Sequence, residues 1–259
     1  GIVAYVGRQT AREILIEGLK RLEYRGYDSS GIAFLNDQPY LSKAVGKVAA
    51  LEQRVWKDNP EGSVGIAHTR WATHGKPTEP NAHPHVDCSG QIFLVHNGII
   101  ENYMPLKKRL IAAGHKFCSE TDTEVLPHLV EEAYQGNLEA AVQKTLQQVQ
   151  GTFGIAVVHR AHPRQIIVAR RGSPIVLGIG KEESLAASDV SALAQHTDQV
   201  VYLEDNEVAR IEPGTFSITT LENRPVSRGT SQLEIGPESM ERGNFPHFML
   251  KEIFEQPDS

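Results

Sequence analysis

Three short stretches gather side chains that bind charge or polarise a carbonyl. They are Tyr24-Arg25-Gly26-Tyr27-Asp28-Ser29-Ser30-Gly31, His68-Thr69-Arg70-Trp71-Ala72-Thr73-His74-Gly75 and His96-Asn97-Gly98. An arginine offers a planar fork of donors to a carboxylate, and an aspartate offers the complement to an ammonium group. Asn97-Gly98 admits two readings. The pair can close a hairpin as a type I′ turn. It can also aim an amide and a backbone N–H at one point, the arrangement that stabilises the oxyanion of acyl transfer. Ile99-Ile100 and the helical pattern after it speak against a simple hairpin, and the dipeptide alone leaves both readings open.

Two thiols are present, Cys88 and Cys118. Cys88 lies in the turn Val86-Asp87-Cys88-Ser89-Gly90 with no base beside it, and Cys118 precedes a helix start, where a small buried hydrophobe is the commoner role. Neither is expected to be a nucleophile. His68, His74, His83, His85 and His96 crowd the same loops, yet no HExxH or CxxC spacing accompanies them, so no metal is expected. No glycine-rich strand-to-helix turn with a lysine is available for phosphate.

The elements that must hold these loops are legible from periodicity. Ile2 to Val6 is an apolar, β-branched strand at the very start, and the capping box Thr10-Ala11-Arg12-Glu13 opens an amphipathic helix that stops at Tyr24-Arg25-Gly26. Residues 31–35 and 40–45 read as a hairpin, 48–56 as a short helix, and 63–68 and 92–96 as strands. Between them runs a long polar loop, 69–85, of the kind that is functional or mobile. Asn102 and a second capping box, Thr121 to Glu124, are read as starts of helices, with another helix over 138–149. After Gly151 come short strands at 153–159, 165–170, 174–179 and 200–211, with a short helix near 190–195, and a final helix is read at 247–253. Strands at both ends with helices between them give an α+β class.

The 259 residues carry 26 basic and 32 acidic side chains, a net charge of −6, interspersed along the chain. That balance argues against a nucleic-acid partner. No apolar run reaches the roughly 18–20 residues of a membrane span, and two cysteines fit a reducing compartment, so a cytoplasmic location is expected.

Taken together, "LEYRGYDSSGIA", "GIAHTRWATHGKPTEPNAHPH", "VHNGIIENY", "SETDTEV" and "KEIFEQP", in this order, resemble the glutaminase domain of the glucosamine-6-phosphate synthases, the isomerising glutamine:fructose-6-phosphate aminotransferases. The resemblance spans the chain. It implies the N-terminal-nucleophile hydrolase fold, a four-layer α-β-β-α sandwich of two antiparallel sheets, with a glutaminase domain over 1–222 and, over 223–259, a linker and the start of the absent sugar-phosphate isomerase domains. It implies L-glutamine as substrate, fructose 6-phosphate as the acceptor of its ammonia in those domains, a homodimer for the full-length protein, and no cofactor.

By the family pattern Arg70, with Thr73 and His74, takes glutamine's α-carboxylate and Asp122 its α-ammonium. Asn97 and the Gly98 N–H form the oxyanion hole. Trp71 gates the route of ammonia, Arg25 and Gly26 line the nucleophile's surroundings, and His83 lies near the substrate loop. The family nucleophile is an N-terminal cysteine whose own amine is the base. The pattern runs Cys-Gly-Ile-Val, so Gly1 matches its second position and the cysteine is expected immediately before Gly1. Without it the chain is expected to be inactive. Two other readings stay open: a catalytically silent glutamine-binding module, and a related class II amidotransferase with another acceptor.

Overall fold

The computed structural model describes residues 1–36 and 38–233; the helix expected at 247–253 and the "KEIFEQP" motif lie outside them. Strand β1 (Ile2–Val6) pairs on one side with β4 (Val64–Arg70) and on the other with β10 (Ser184–Ala187), both antiparallel. Its uninterrupted apolar run follows from its place. Ile2, Ala4 and Val6 face a core between two sheets, while Val3 and Tyr5 face helices on the outside. Since alternate residues of a strand point to opposite faces, a strand covered on both sides must be apolar throughout.

The first sheet has eight strands, adding β2 (Ser29–Leu35), β3 (Tyr40–Val45), β9 (Val176–Ile179), β11 (Gln199–Tyr202) and β15 (Ser231–Gln232) in the order β15-β11-β9-β10-β1-β4-β2-β3. Helices α1 (Ala11–Leu22) and α2 (Val48–Asp58) cover its outer face. The second sheet has seven, ordered β14-β13-β12-β8-β7-β6-β5, from β5 (His85–Val86), β6 (Ile92–Ile100), β7 (Gly151–His159), β8 (Ile166–Arg171), β12 (Glu207–Glu212), β13 (Thr215–Thr220) and β14 (Pro225–Val226). Helices α3 (Tyr103–Ala112), α4 (Val125–Ala133) and α5 (Leu138–Leu146) belong to its outer layer, and the two inner faces share one core of residues such as Ile66, Val95, Val158 and Val168. The α+β, four-layer sandwich of antiparallel sheets is therefore as expected.

Several local expectations change. The segment 200–211 is two strands in different sheets, broken at Asp205-Asn206, where Asn206 takes a φ of 69° and the chain crosses between layers. Strands β10 and β13 escaped the sequence pattern, β10 because Ser184-Leu185-Ala186-Ala187 has no β-branched residue. The side chain of Thr10 makes no capping bond; the Ala11 N–H at the start of α1 donates instead to the Gly62 carbonyl at 2.8 Å. Glu124 does not box α4 either. Its carboxylate accepts the Cys118 and Ser119 N–H groups, each at 2.7 Å, and so folds the turn before the helix. Asn102 ties its side chain to Gln148 and Gln150 rather than to α3. Beyond residue 222 the chain still adds β14 and β15 to the two sheets, and Arg228 pairs with Glu207 at 2.8 Å.

Candidate active site

The C-terminal part of β4, the middle of β6 and the residue just before β1 meet at one cavity of about 380 Å³. Gly1 is held there by three bonds. Its amine donates to the Thr69 carbonyl at 2.6 Å, its carbonyl accepts the Thr69 N–H at 2.9 Å, and the next N–H, that of Ile2, donates to Ser188 Oγ at 3.0 Å. In a chain that starts at Gly1, burial, reinforced by the charge of Arg25, lowers this amine to about 4, so it is neutral near pH 7.

Strand β4 delivers His68, Thr69 and Arg70 on consecutive residues. Each carries a buried polar atom with no partner among the described residues: His68 Nδ1, Thr69 Oγ1 and Arg70 Nη1. Arg70 is 5% exposed. Its Nη2 donates to the carbonyls of His74 and Gly75, which curls the loop after β4 around the guanidinium and leaves Nη1 for a ligand. Burial works against the Arg70 charge, and Asp122 and Asp28 support it. Asp122 is as deeply set, 4% exposed, and its carboxylate accepts the Ile100 N–H at 2.7 Å. Two opposite charges therefore border one cavity, each costly to bury unless a ligand completes its bonding.

Strand β6 runs straight through Asn97-Gly98, in register with Gly154 and Phe153 of β7, so the pair is not a hairpin turn. Gly98 sits at φ 128°, and a Cβ there would collide with the Thr152 carbonyl oxygen, so only glycine fits without distortion. Asn97 Oδ1 lies 2.9 Å from His68 Nε2. With that oxygen accepting the imidazole N–H, the amide hydrogens on Nδ2 are free to donate to a group in the cavity.

Behind this wall the histidines interlock. His83 stacks on His68 at 4.2 Å and meets His85 edge-on at 4.8 Å. Its Nδ1 accepts the His96 N–H at 3.1 Å, while His96 Nδ1 bonds Thr123 Oγ1 at 2.9 Å. Burial drives all four imidazoles below their usual value, so they are neutral and act as fixed dipoles.

Of the residues singled out from sequence, Arg25, Arg70, Trp71, Thr73, His83, Asn97, Gly98 and Asp122 line the cavity. Two do not. His74 contributes its carbonyl to Arg70 and packs its ring on Tyr103 at 5.7 Å. Gly26 backs the site, where a Cβ would lie 2.8 Å from the Trp71 nitrogen. Trp71 is 61% exposed and pairs edge-on with Tyr27 at 6.1 Å. His68, Thr69, His96, Thr123 and Thr152 also line the cavity without having been assigned a role from sequence. The signal for the first two was their place in the same strand as Arg70.

A family model described as a glutamine amidotransferase domain matches residues 50–240. The chain belongs to that family. This amidotransferase domain is 51% identical over 258 residues to a glutamine–fructose-6-phosphate aminotransferase (isomerizing) of Thermus thermophilus, covering 99% of the chain and 42% of the relative. It is 50% identical over 264 residues to the enzyme of the same name from Bacteroides thetaiotaomicron, covering 100% and 43%. The chain thus spans about two fifths of the length of these curated relatives. Among solved structures, the glutamine phosphoribosylpyrophosphate amidotransferase from B. subtilis superposes with a TM-score of 0.74 at 22% identity, over 92% of this chain and 55% of that one. A glutamine aminotransferase class-II domain protein from Silicibacter pomeroyi gives 0.58 at 14%, over 85% and 98%. At such identities these two bear on the fold of the amidotransferase domain alone.

Proposed function

We propose that this domain hydrolyses the side-chain amide of L-glutamine to glutamate and ammonia, and that in the longer protein the ammonia passes to fructose 6-phosphate to give glucosamine 6-phosphate. The supporting observation is the buried Arg70, its Nη1 without a partner among the described residues, bordering the same cavity as the buried Asp122, the Asn97-Gly98 segment and Gly1. Glutamine has a carboxylate, an ammonium and an amide, and each finds its complement there. Arg70, aided by Thr73 and the loop at His74, takes the carboxylate; Asp122 takes the ammonium.

The nucleophile in this reading is a cysteine joined to the Gly1 nitrogen, its free amine acting as base. Thiolate attack on the amide carbon forms a tetrahedral oxyanion that Asn97 Nδ2 and the Gly98 N–H stabilise. Collapse breaks the C–N bond, the leaving nitrogen taking from the α-amine the proton that the thiol gave up and departing as ammonia, and leaves a thioester; water, deprotonated by the same amine, then releases glutamate and restores the thiol. Trp71, at the rim with Arg25 and Gly26 behind it, guards ammonia from solvent, and His83 braces the wall through His68. We assign the acceptor site and a homodimer contact to further domains of the longer protein, and a cytoplasmic location. Among the described residues no helix is long and apolar enough to cross a membrane.

The test separates binding from chemistry. In the chain that begins at Gly1, calorimetry should show glutamine binding that weakens about a hundredfold in Arg70→Ala, the scale of lost charge-assisted hydrogen bonds. A chain with cysteine placed before Gly1 should release glutamate. Unchanged binding in both Arg70→Ala and Asp122→Asn would overturn the substrate assignment, and binding without release in the cysteine-bearing chain would favour a silent glutamine-binding module.

A further inference from the structure

Away from the cavity, in the helical layer over the second sheet, four donor side chains from separate segments converge. Cys88 follows β5, His115 lies between α3 and α4, and His128 and Glu131 sit one turn apart on α4. Cys88 Sγ is 3.6 Å from Nδ1 of His115 and 3.6 Å from Nδ1 of His128. Glu131 Oε2 is 3.2 Å from the first imidazole and 3.6 Å from the second. All four donor atoms fall within 4.8 Å of one another.

We propose that Cys88, His115, His128 and Glu131 form a structural site for a divalent transition-metal ion of the zinc type. Metal–ligand bonds of about 2.0–2.3 Å, arranged tetrahedrally, place neighbouring donor atoms about 3.3–3.8 Å apart. Four of the six donor separations, at 3.2 and 3.6 Å, match that spacing and the other two lie within 4.8 Å, so side-chain shifts would close the set around an ion. One thiolate, two imidazoles and one carboxylate are a closed set of the kind zinc accepts.

The surroundings point the same way. The far nitrogen of each imidazole faces a carboxylate: His115 Nε2 is 3.6 Å from Glu132 Oε1, and His128 Nε2 is 3.9 Å from Glu124 Oε1. His128 Nε2 is buried and makes no hydrogen bond at that distance. One sulfur and three carboxylates surround the two rings, so the cluster is rich in electron-pair donors that face inward. A central cation matches that arrangement. Both rings then carry their proton on Nε2 toward Glu124 and Glu132 and offer the Nδ1 lone pair to the ion, the usual outer support of a metal-bound histidine. The Lys116 N–H donates to Cys88 Sγ at 3.3 Å and the Cys88 N–H to Glu131 Oε2 at 3.2 Å, so sulfur and carboxylate are already oriented. Cys88 is exposed, which gives the ion a path from solvent.

Sequence spacing hid this site, because only His128 and Glu131 lie close in the chain and Cys88 has no base beside it until the fold supplies two. The bound ion would staple the turn between β5 and β6 to the helix that starts just after Asp122.

The test uses the 259-residue chain, freed of metal by a chelator and titrated with Co²⁺ and then Zn²⁺. Expected are one ion per chain, a thiolate-to-cobalt charge-transfer band with visible bands of tetrahedral intensity, their loss on adding zinc, and a raised melting temperature with zinc. Cys88→Ser should abolish the charge-transfer band and Glu131→Gln should weaken binding at least tenfold, while Cys118→Ser should leave both as they were. Absence of cobalt bands in the folded chain would overturn the proposal. So would a band that survives Cys88→Ser, or one that disappears in Cys118→Ser.

Discussion

In the proposed reaction Asn97 serves turnover rather than binding. His68 Nε2, at 2.9 Å, holds its oxygen and turns its amide hydrogens to the cavity, so in the proposed reaction it donates to the oxyanion and to nothing the substrate carries beforehand. In the chain with cysteine before Gly1, Asn97→Ala should lower kcat about 10²–10³-fold while KM stays nearly constant. Steady-state glutamate release measures both; a rise in KM at unchanged kcat would make Asn97 a binding residue. Arg70, Asp122 and Asn97 were named through the motifs that carry the family resemblance, and all three line the cavity. The His68–Asn97 bond was not, because it joins residues 29 apart in the chain and exists only once β4 and β6 face each other.

Whole elements were read more securely than their ends. Helix α1 appeared through its apolar spacing, yet its capping box is a motif without the matching bond: the N-terminus is met by the Gly62 carbonyl, which no local pattern encodes. Helix α5, by contrast, is capped by Asn137, whose side chain accepts the Ala140 N–H at 3.0 Å. Thr10→Ala should therefore cost under about 0.5 kcal/mol, and Asn137→Ala about 1 kcal/mol. Urea unfolding of the two variants checks this, and a larger loss at Thr10 would contradict the geometry. Strands β11 and β12 were merged in the sequence reading because Leu203 to Asn206 is too short an interruption to show that the chain changes sheets.

For the molecule as a whole, the buried bases set the response to acid. His68, His83, His85 and His96 have folded pKa values depressed by burial, and the Gly1 amine is lowered from 8.0 to about 4. A base whose pKa is depressed on folding binds more protons when unfolded. Stability is therefore undiminished above the unfolded value and falls as pH drops below it: from about 8 for the amine and from about 6.5 for the histidines. Glu124, held near 2 by the nearby His128 ring and by bonds from the Cys118 and Ser119 N–H groups and the Ser119 hydroxyl, which together outweigh its burial, loses its contribution only below the ordinary carboxylate range. The urea midpoint of the chain that begins at Gly1 should decline steadily from about pH 8 to about pH 5; a flat profile would mean that these bases are not held neutral by the fold.

Motif types and apolar periodicity in the sequence determined the family, the strand-and-helix order and the charged and amide groups of the cavity, because these depend on side-chain chemistry and on neighbours close in the chain. Only the tertiary structure decided that β1 is covered on both faces, that Asn97-Gly98 is strand rather than turn, that four histidines brace one wall, and that Cys88 stands between two imidazoles. Those facts rest on contacts between segments far apart in sequence, fixed when two sheets close over a shared core.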